Sequence, residues 1–124
     1  MGAPWIDARQ LALYLNQRNL SGVRFVPVTF TPKSSTYANL ACNGVNVIVT
    51  DRNQLDAPEM GIELASALVT LYPNQYDIRR MNELLVHDAS FEMLKKGADP
   101  RRIADEWRDE IDAFMKIRAK YLLY

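Results

Sequence analysis

Few residues in this sequence are placed to make or break bonds. It has one cysteine, Cys42, and one histidine, His87. A single thiol excludes a disulfide within the chain, and a single imidazole excludes a histidine-rich metal centre. His87 follows an apolar helical run with no nucleophile set beside it, so it reads as a structural or surface histidine. Cys42 precedes a strand-like run and reads as a small buried hydrophobe. Glycosidases use two carboxyl groups roughly 5–10 Å apart, and Asp105, Glu106, Asp109, Glu110 and Asp112 offer many. These alternate with Arg and Lys on the polar side of an amphipathic helix, which is the pattern of a solvated face. No Gly-rich phosphate loop, Cys-x-x-Cys pair, His-Glu-x-x-His motif or Gly-x-Ser-x-Gly elbow occurs. What remains suits binding rather than catalysis: Thr31, Lys33 and Tyr37 in a polar stretch, and the pair Asp51–Arg52 after it. A Tyr ring can stack on a sugar, and Lys or Arg can hold a carboxylate through charge-assisted hydrogen bonds. Asp51 is equally suited to ending a strand in a turn. The chain shows no self-sufficient active site.

Two strands must position those residues. Val23–Phe30 alternates, with Arg24, Val26, Val28 and Phe30 on one side and Val23, Phe25, Pro27 and Thr29 on the other. Val45, Val47 and Val49 share one face of a second run. Period-two alternation of β-branched residues predicts strands, and Pro27 predicts that the first is an edge strand or carries a bulge. The stretch between them, residues 31–44, is too long for a tight hairpin, and long polar loops between strands commonly carry binding groups. Two strands make a poor sheet. Either residues 36–42 supply a third, or something outside the chain completes it.

Helices surround this unit. Asp7–Gln10 is a capping-box pattern before Leu11, Ala12 and Leu15, and Asp56–Glu59 is a second before the stripe Met60, Leu64, Ala67, Leu68 and Leu71. Residues 78–86 and 91–96 predict short helices, the latter capped by Ser90 and stopped by Gly97. Asp99-Pro100 opens the last helix, whose expected buried stripe is Ile103, Trp107, Ile111, Phe114 and Met115. The apolar closing residues 120–124 predict a docked terminus. The order predicts an α+β domain: a small antiparallel sheet, open or barrel-like, packed by an N-terminal helix, a central helix and a C-terminal helical segment.

The 124 residues fit one domain, 1–124, with 48% hydrophobic and 24% charged residues. Fifteen basic residues balance fifteen acidic ones, so no net field steers the chain to nucleic acid or an anionic membrane. No apolar run approaches the roughly 20 residues of a membrane span.

Several blocks together resemble a known family. Gly2-Ala3-Pro4-Trp5-Ile6-Asp7, Val23-Arg24-Phe25, Phe30-Thr31-Pro32, Cys42-Asn43-Gly44-Val45 and Val49-Thr50-Asp51-Arg52 are similar to the second half of the exo-β-N-acetylmuramidases (glycoside hydrolase family 171). The similarity continues through Tyr72-Pro73, Trp107, Phe114 and Arg118 to the closing Lys120-Tyr121-Leu122-Leu123-Tyr124. It implies an auxiliary C-terminal domain whose Rossmann-like catalytic domain lies outside this chain. It implies that no cofactor or metal is used, and that the partners are that catalytic domain and a muramyl sugar from peptidoglycan. It also implies a periplasmic or extracellular setting. On this reading Thr31, Lys33, Tyr37, Asp51 and Arg52 face the cleft that takes the non-reducing-end N-acetylmuramic acid, with Arg52 or Lys33 toward its lactyl carboxylate. The alternative is a structural domain that only buttresses the catalytic domain or an oligomer.

Overall fold

The structure, a computed structural model, describes residues 1–122, the Leu84 side chain excepted. The elements run β1 (Gly2–Ala3), α1 (Ala8–Gln17), β2 (Val23–Phe30), β3 (Cys42–Val49), α2 (Ala57–Leu71), α3 (Arg79–Leu85), α4 (Asp88–Lys95) and α5 (Pro100–Arg118). This is the expected α+β class.

The sheet is open, in the order β1-β3-β2 and antiparallel throughout. It is not a barrel: β1 has two residues, and β2 ends the sheet on the other side. The third strand is neither of the two expected sources. Residues 36–41 form turns, and the N-terminus supplies the strand instead, with Gly2 opposite Gly44 and Ala3 opposite Asn43. Close approach makes this possible. A Cβ on Gly44 would lie 2.0 Å from the Met1 carbonyl oxygen and 2.5 Å from Gly2 Cα. The Met1 backbone nitrogen and carbonyl then bracket Val45, each hydrogen bond 2.9 Å long.

The β2–β3 register is continuous from Val23↔Val49 to Phe30↔Cys42, so β2 carries no bulge and Pro27 sits on an edge strand as expected. Successive outward amides lie two residues apart. At Phe25 the outward N–H and C=O are both taken by the Asn16 side chain, at 3.0 and 2.8 Å. Two residues on, Pro27 has no N–H to offer. The edge is thus closed to a further strand by one side chain and one proline.

α2 divides two apolar cores. Its Ala67 and Leu68, with Met60, Leu64 and Leu71, pack with Leu11, Leu15, Phe25 and Val45 from α1 and the sheet. Its opposite side places Ile62 and Ala65 against Leu94 of α4 and Ile103 of α5. Fully buried Leu11, Leu15 and Ile62 each contribute about 1.5–3 kcal/mol of burial energy. Beside Ile62, Glu63 is wholly buried and receives Arg18 in a two-pronged pair, 2.8 Å to Nε and 2.9 Å to Nη2. Arg18 Nη2 also reaches Asp99 at 2.8 Å, joining α1, α2 and the start of α5.

Three capping expectations change. Asp7 accepts from the Arg9 and Gln10 amides, yet its own N–H goes to the Tyr72 hydroxyl, which reaches it from α2's end and leaves Gln10 no role. Asp56 accepts from the Glu59 amide, while the Glu59 carboxylate turns to Arg108 at 2.8 Å, a full charge being the stronger partner. Finally, α4 starts three residues earlier than expected and is capped by His87, whose Nδ1 accepts the Ser90 amide. Ser90 is buried inside α4, and its hydroxyl accepts the Trp107 indole N–H at 2.8 Å. His87 is therefore structural, as its sequence context suggested.

The last helix departs most from expectation. Ile103 and Ala104 are buried and Trp107 half-buried, but Ile111, Phe114 and Met115 are exposed, Phe114 at 59%. The reason is length. α5 runs along α2 until Arg108 meets Glu59 and Asp56 at α2's first turn, and beyond that point α2 offers nothing to pack on. Of the closing residues expected to dock, Lys120, Tyr121 and Leu122 are exposed, Tyr121 at 78%, while Leu123 and Tyr124 lie outside the described residues.

Candidate functional site

The five residues singled out from sequence do not converge. β3 is eight residues long, so its two ends lie about 25 Å apart. Thr31 and Lys33, both exposed, and Tyr37, half-buried, belong to the loop at one end. Asp51 and Arg52 stand at the other end. There Asp51 closes a turn: its amide donates to the Gly22 carbonyl at 3.2 Å, and its Oδ1 accepts the Asn53 amide at 2.9 Å. The structure separates the two groups of that proposed site.

Tyr37 alone lines a pocket with other polar and aromatic groups. The loop that carries it is held by its own turns, Asn39 N–H to the Pro32 carbonyl at 2.8 Å and Ala38 N–H to that of Ser35 at 3.1 Å. The Tyr37 hydroxyl accepts the Trp5 indole N–H at 3.1 Å. Trp5 is propped in turn by Tyr72, ring centroids 5.4 Å apart and planes tilted by 59°. Tyr72 is fixed because its hydroxyl lies between the Asp7 N–H and carbonyl, 3.1 Å from each. Burial raises its pKa above the usual tyrosine value and keeps it neutral.

Around these rings lies a cavity of about 420 Å³, within the range of small-molecule sites. Met1, Gly2, Ala3, Trp5 and Ile6 form one wall and Thr36 and Tyr37 another; Leu68, Gln75, Tyr76, Asp77 and Arg80 complete it. Tyr76 and its neighbours are there because α2 stops at Leu71 and the turn after Pro73 folds back, with Tyr76 N–H on the Tyr72 carbonyl at 2.9 Å. Burial, and secondarily the Asp77 charge, raises the Tyr76 pKa, so this phenol is also neutral.

The rim carries one carboxylate and one cation, and their situations differ. Asp77 is clamped by Arg79, at 2.9 Å on each oxygen, and the Arg79 guanidinium holds its pKa below the usual range. Among the described residues Arg80 has no such ion pair. With Asp77 already neutralised, Arg80 leaves the pocket mouth positive. The cavity thus offers three aromatic surfaces, an amide from Gln75 and a guanidinium able to take a carboxylate in two bonds. It offers no acid/base pair for bond cleavage. No group of three His, Cys, Asp or Glu able to hold a metal occurs among the described residues.

Sequence reading found Tyr37 and missed Trp5, Gln75, Tyr76 and Arg80. From its residue type alone Trp5 reads as a core residue, which its half-burial partly supports. The Asn-Gln-Tyr-Asp turn followed by two arginines was a polar, aromatic cluster in its own right. Nothing in sequence placed it beside residues 1–6.

The comparison with known proteins bears on this geometry. The family model of the exo-β-N-acetylmuramidase NamZ, C-terminal, matches residues 1–124. The chain belongs to that family. It is 29% identical over 127 residues to the peptidoglycan β-N-acetylmuramidase NamZ of Bacillus subtilis (strain 168), covering 100% of this chain and 31% of that protein. The crystal structure of the DUF1343 family protein BF0371 from Bacteroides fragilis NCTC 9343 superposes with a TM-score of 0.68 at 27% identity, covering 99% of this chain and 34% of that one. The chain therefore spans about a third of the length of these relatives, and it corresponds to the C-terminal domain of a NamZ-type β-N-acetylmuramidase.

Proposed function

We propose that this domain forms one wall of the cleft in which a peptidoglycan β-N-acetylmuramidase holds the terminal N-acetylmuramic acid, and that it does no bond cleavage itself. The observation that carries the reading is the position of the cavity. Met1, Gly2 and Ala3 line it, so a catalytic portion joined ahead of residue 1 emerges at its edge. Trp5, Tyr37 and Tyr76 suit the apolar face of a sugar ring, and Arg80 suits the lactyl carboxylate that distinguishes muramic acid from glucosamine. Thr31 and Lys33, on the same loop as Tyr37, extend this wall. Asp51 and Arg52 lie too far away to touch the same sugar. Such a protein would act where peptidoglycan fragments occur, in the periplasm or outside the cell.

The test is release of N-acetylmuramic acid from a chromogenic muramide by this chain alone and by the longer polypeptide that carries it. The expected result is silence from the chain and turnover by the longer form. Turnover by the chain alone would place chemistry on residues assigned here to binding and overturn the reading.

A further inference from the structure

The apolar stripe of α5 keeps its helical period after burial ends. Trp107, Ile111, Phe114, Arg118 and Leu122 follow one another at three- and four-residue steps, with Met115 beside them, in phase with buried Ile103. From Ile111 onward every described member is exposed, although such a stripe marks the side of a helix that packs. The stripe is continuous at Trp107 with an apolar groove of about 450 Å³ between α2, the α3–α4 corner and α5. A short amphipathic helix overhanging its domain gains little stability from its own hydrogen bonds and depends on tertiary contact.

We propose that this overhang seats the N-terminal portion of the longer polypeptide, a docking surface additional to the sugar-binding wall. The proposal rests on the reading above in one respect, that such a portion exists. About two thirds of each relative's length lies outside the region matched by this chain. Area favours that occupant over a second copy. The overhang from Arg108 to Arg118 is about 15 Å long and 10 Å wide, so two such faces cover only on the order of 150 Å² each, whereas a larger tethered partner also reaches the adjoining groove at Trp107. A stable complex of free partners buries about 800 Å² on each side, whereas interfaces between domains of one chain start near 600 Å² in total. Tethering supplies the partner at about millimolar effective concentration, which lets the smaller interface hold. Within the stripe Arg118 is the single charge, and among the described residues it is hydrogen-bonded only to the Met115 sulfur at 3.9 Å. The partner surface is accordingly apolar, with a carboxylate or carbonyl group opposite Arg118.

Hydrogen exchange of amides 111–118 tests this in the chain alone and in the longer polypeptide. Exchange at least tenfold slower in the longer form, with α1 and β3 exchanging alike in both, is the expected result. An Ile111→Asp, Phe114→Asp double variant of the longer form restores fast exchange in α5 while α1 and β3 stay protected. Equal rates in the two wild-type forms overturn the proposal. So does a chain that doubles its mass in light scattering and protects α5 without the N-terminal portion, because the occupant is then a second copy. Protection without N-acetylmuramic acid release sinks the sugar reading and leaves the docking surface standing; release without protection does the reverse.

Discussion

Removing the Arg18 side chain is expected to be the most damaging single change outside the apolar cores. Glu63 is wholly buried in α2, and its carboxylate oxygens are held by Arg18 Nε and Nη2 at 2.8 and 2.9 Å. Arg18→Ala leaves a buried charge without its counter-ion, a change that costs about 3–5 kcal/mol. It also takes Arg18 from Asp99, loosening the first turn of α5. Against a total stability of about 5–15 kcal/mol for a domain, this is a large fraction. It corresponds to a fall in melting temperature of roughly 10–20 °C for a chain of this size. The double variant Arg18→Met, Glu63→Met removes both charges and keeps the volume apolar, and should recover most of that loss, since desolvating the pair offsets much of its attraction. Urea unfolding followed by circular dichroism would measure all four corners of the cycle. A loss below about 1 kcal/mol in Arg18→Ala would put the pair in the class of exposed ion pairs and refute the argument.

Asp99 links the same junction to pH. The Arg101 backbone N–H, with Arg18 as a further partner, lowers its pKa below the ordinary value of 3.8. A depressed carboxyl stabilises the fold above that ordinary value, and the contribution fades as pH falls through the lower folded value. Asp99→Asn keeps the helix cap and should flatten the acid limb of a stability–pH curve; Asp99→Ala should also cost about 1 kcal/mol at neutral pH through the lost cap. Asn16→Ala removes both bonds that close the β2 edge at Phe25 and is expected to cost about 1–3 kcal/mol in a denaturant titration. An unchanged midpoint would show that water replaces the side chain without penalty. Gly44→Ala has no room beside the Met1 carbonyl. Fast amide exchange at Val45, which donates to Met1, would report detachment of β1, and native protection there would show that the backbone accommodates the methyl group.

Local signals were legible wherever the physics is local. The strand over Val23–Phe30, the edge position of Pro27, the Asp7, Asp56 and Asp99 caps and the apolar face of α2 follow from one or two turns of sequence, and the structure keeps them. Features set by long-range contact were not legible. The third strand comes from residues 2–3 because Gly44 admits a backbone, forty residues away in sequence. The α5 stripe reads as buried because periodicity shows which side of a helix packs and not how far its neighbour extends. The candidate site suffered most. Loop position suggested that residues 31–37 and 51–52 meet, whereas an eight-residue strand holds them apart, and the cavity instead gathers residues 1–6, 36–37 and 75–80.

The most direct test of the muramyl-sugar wall is the kinetics of Arg80→Ala in the longer polypeptide. Loss of a charge-assisted bond to the lactyl carboxylate, about 1.5–3 kcal/mol, should raise KM roughly ten- to a hundredfold. kcat is expected to hold, because Arg80 binds without taking part in cleavage, and Arg52→Ala should change neither constant. Unchanged KM and kcat in Arg80→Ala would contradict the assignment of this pocket to the sugar.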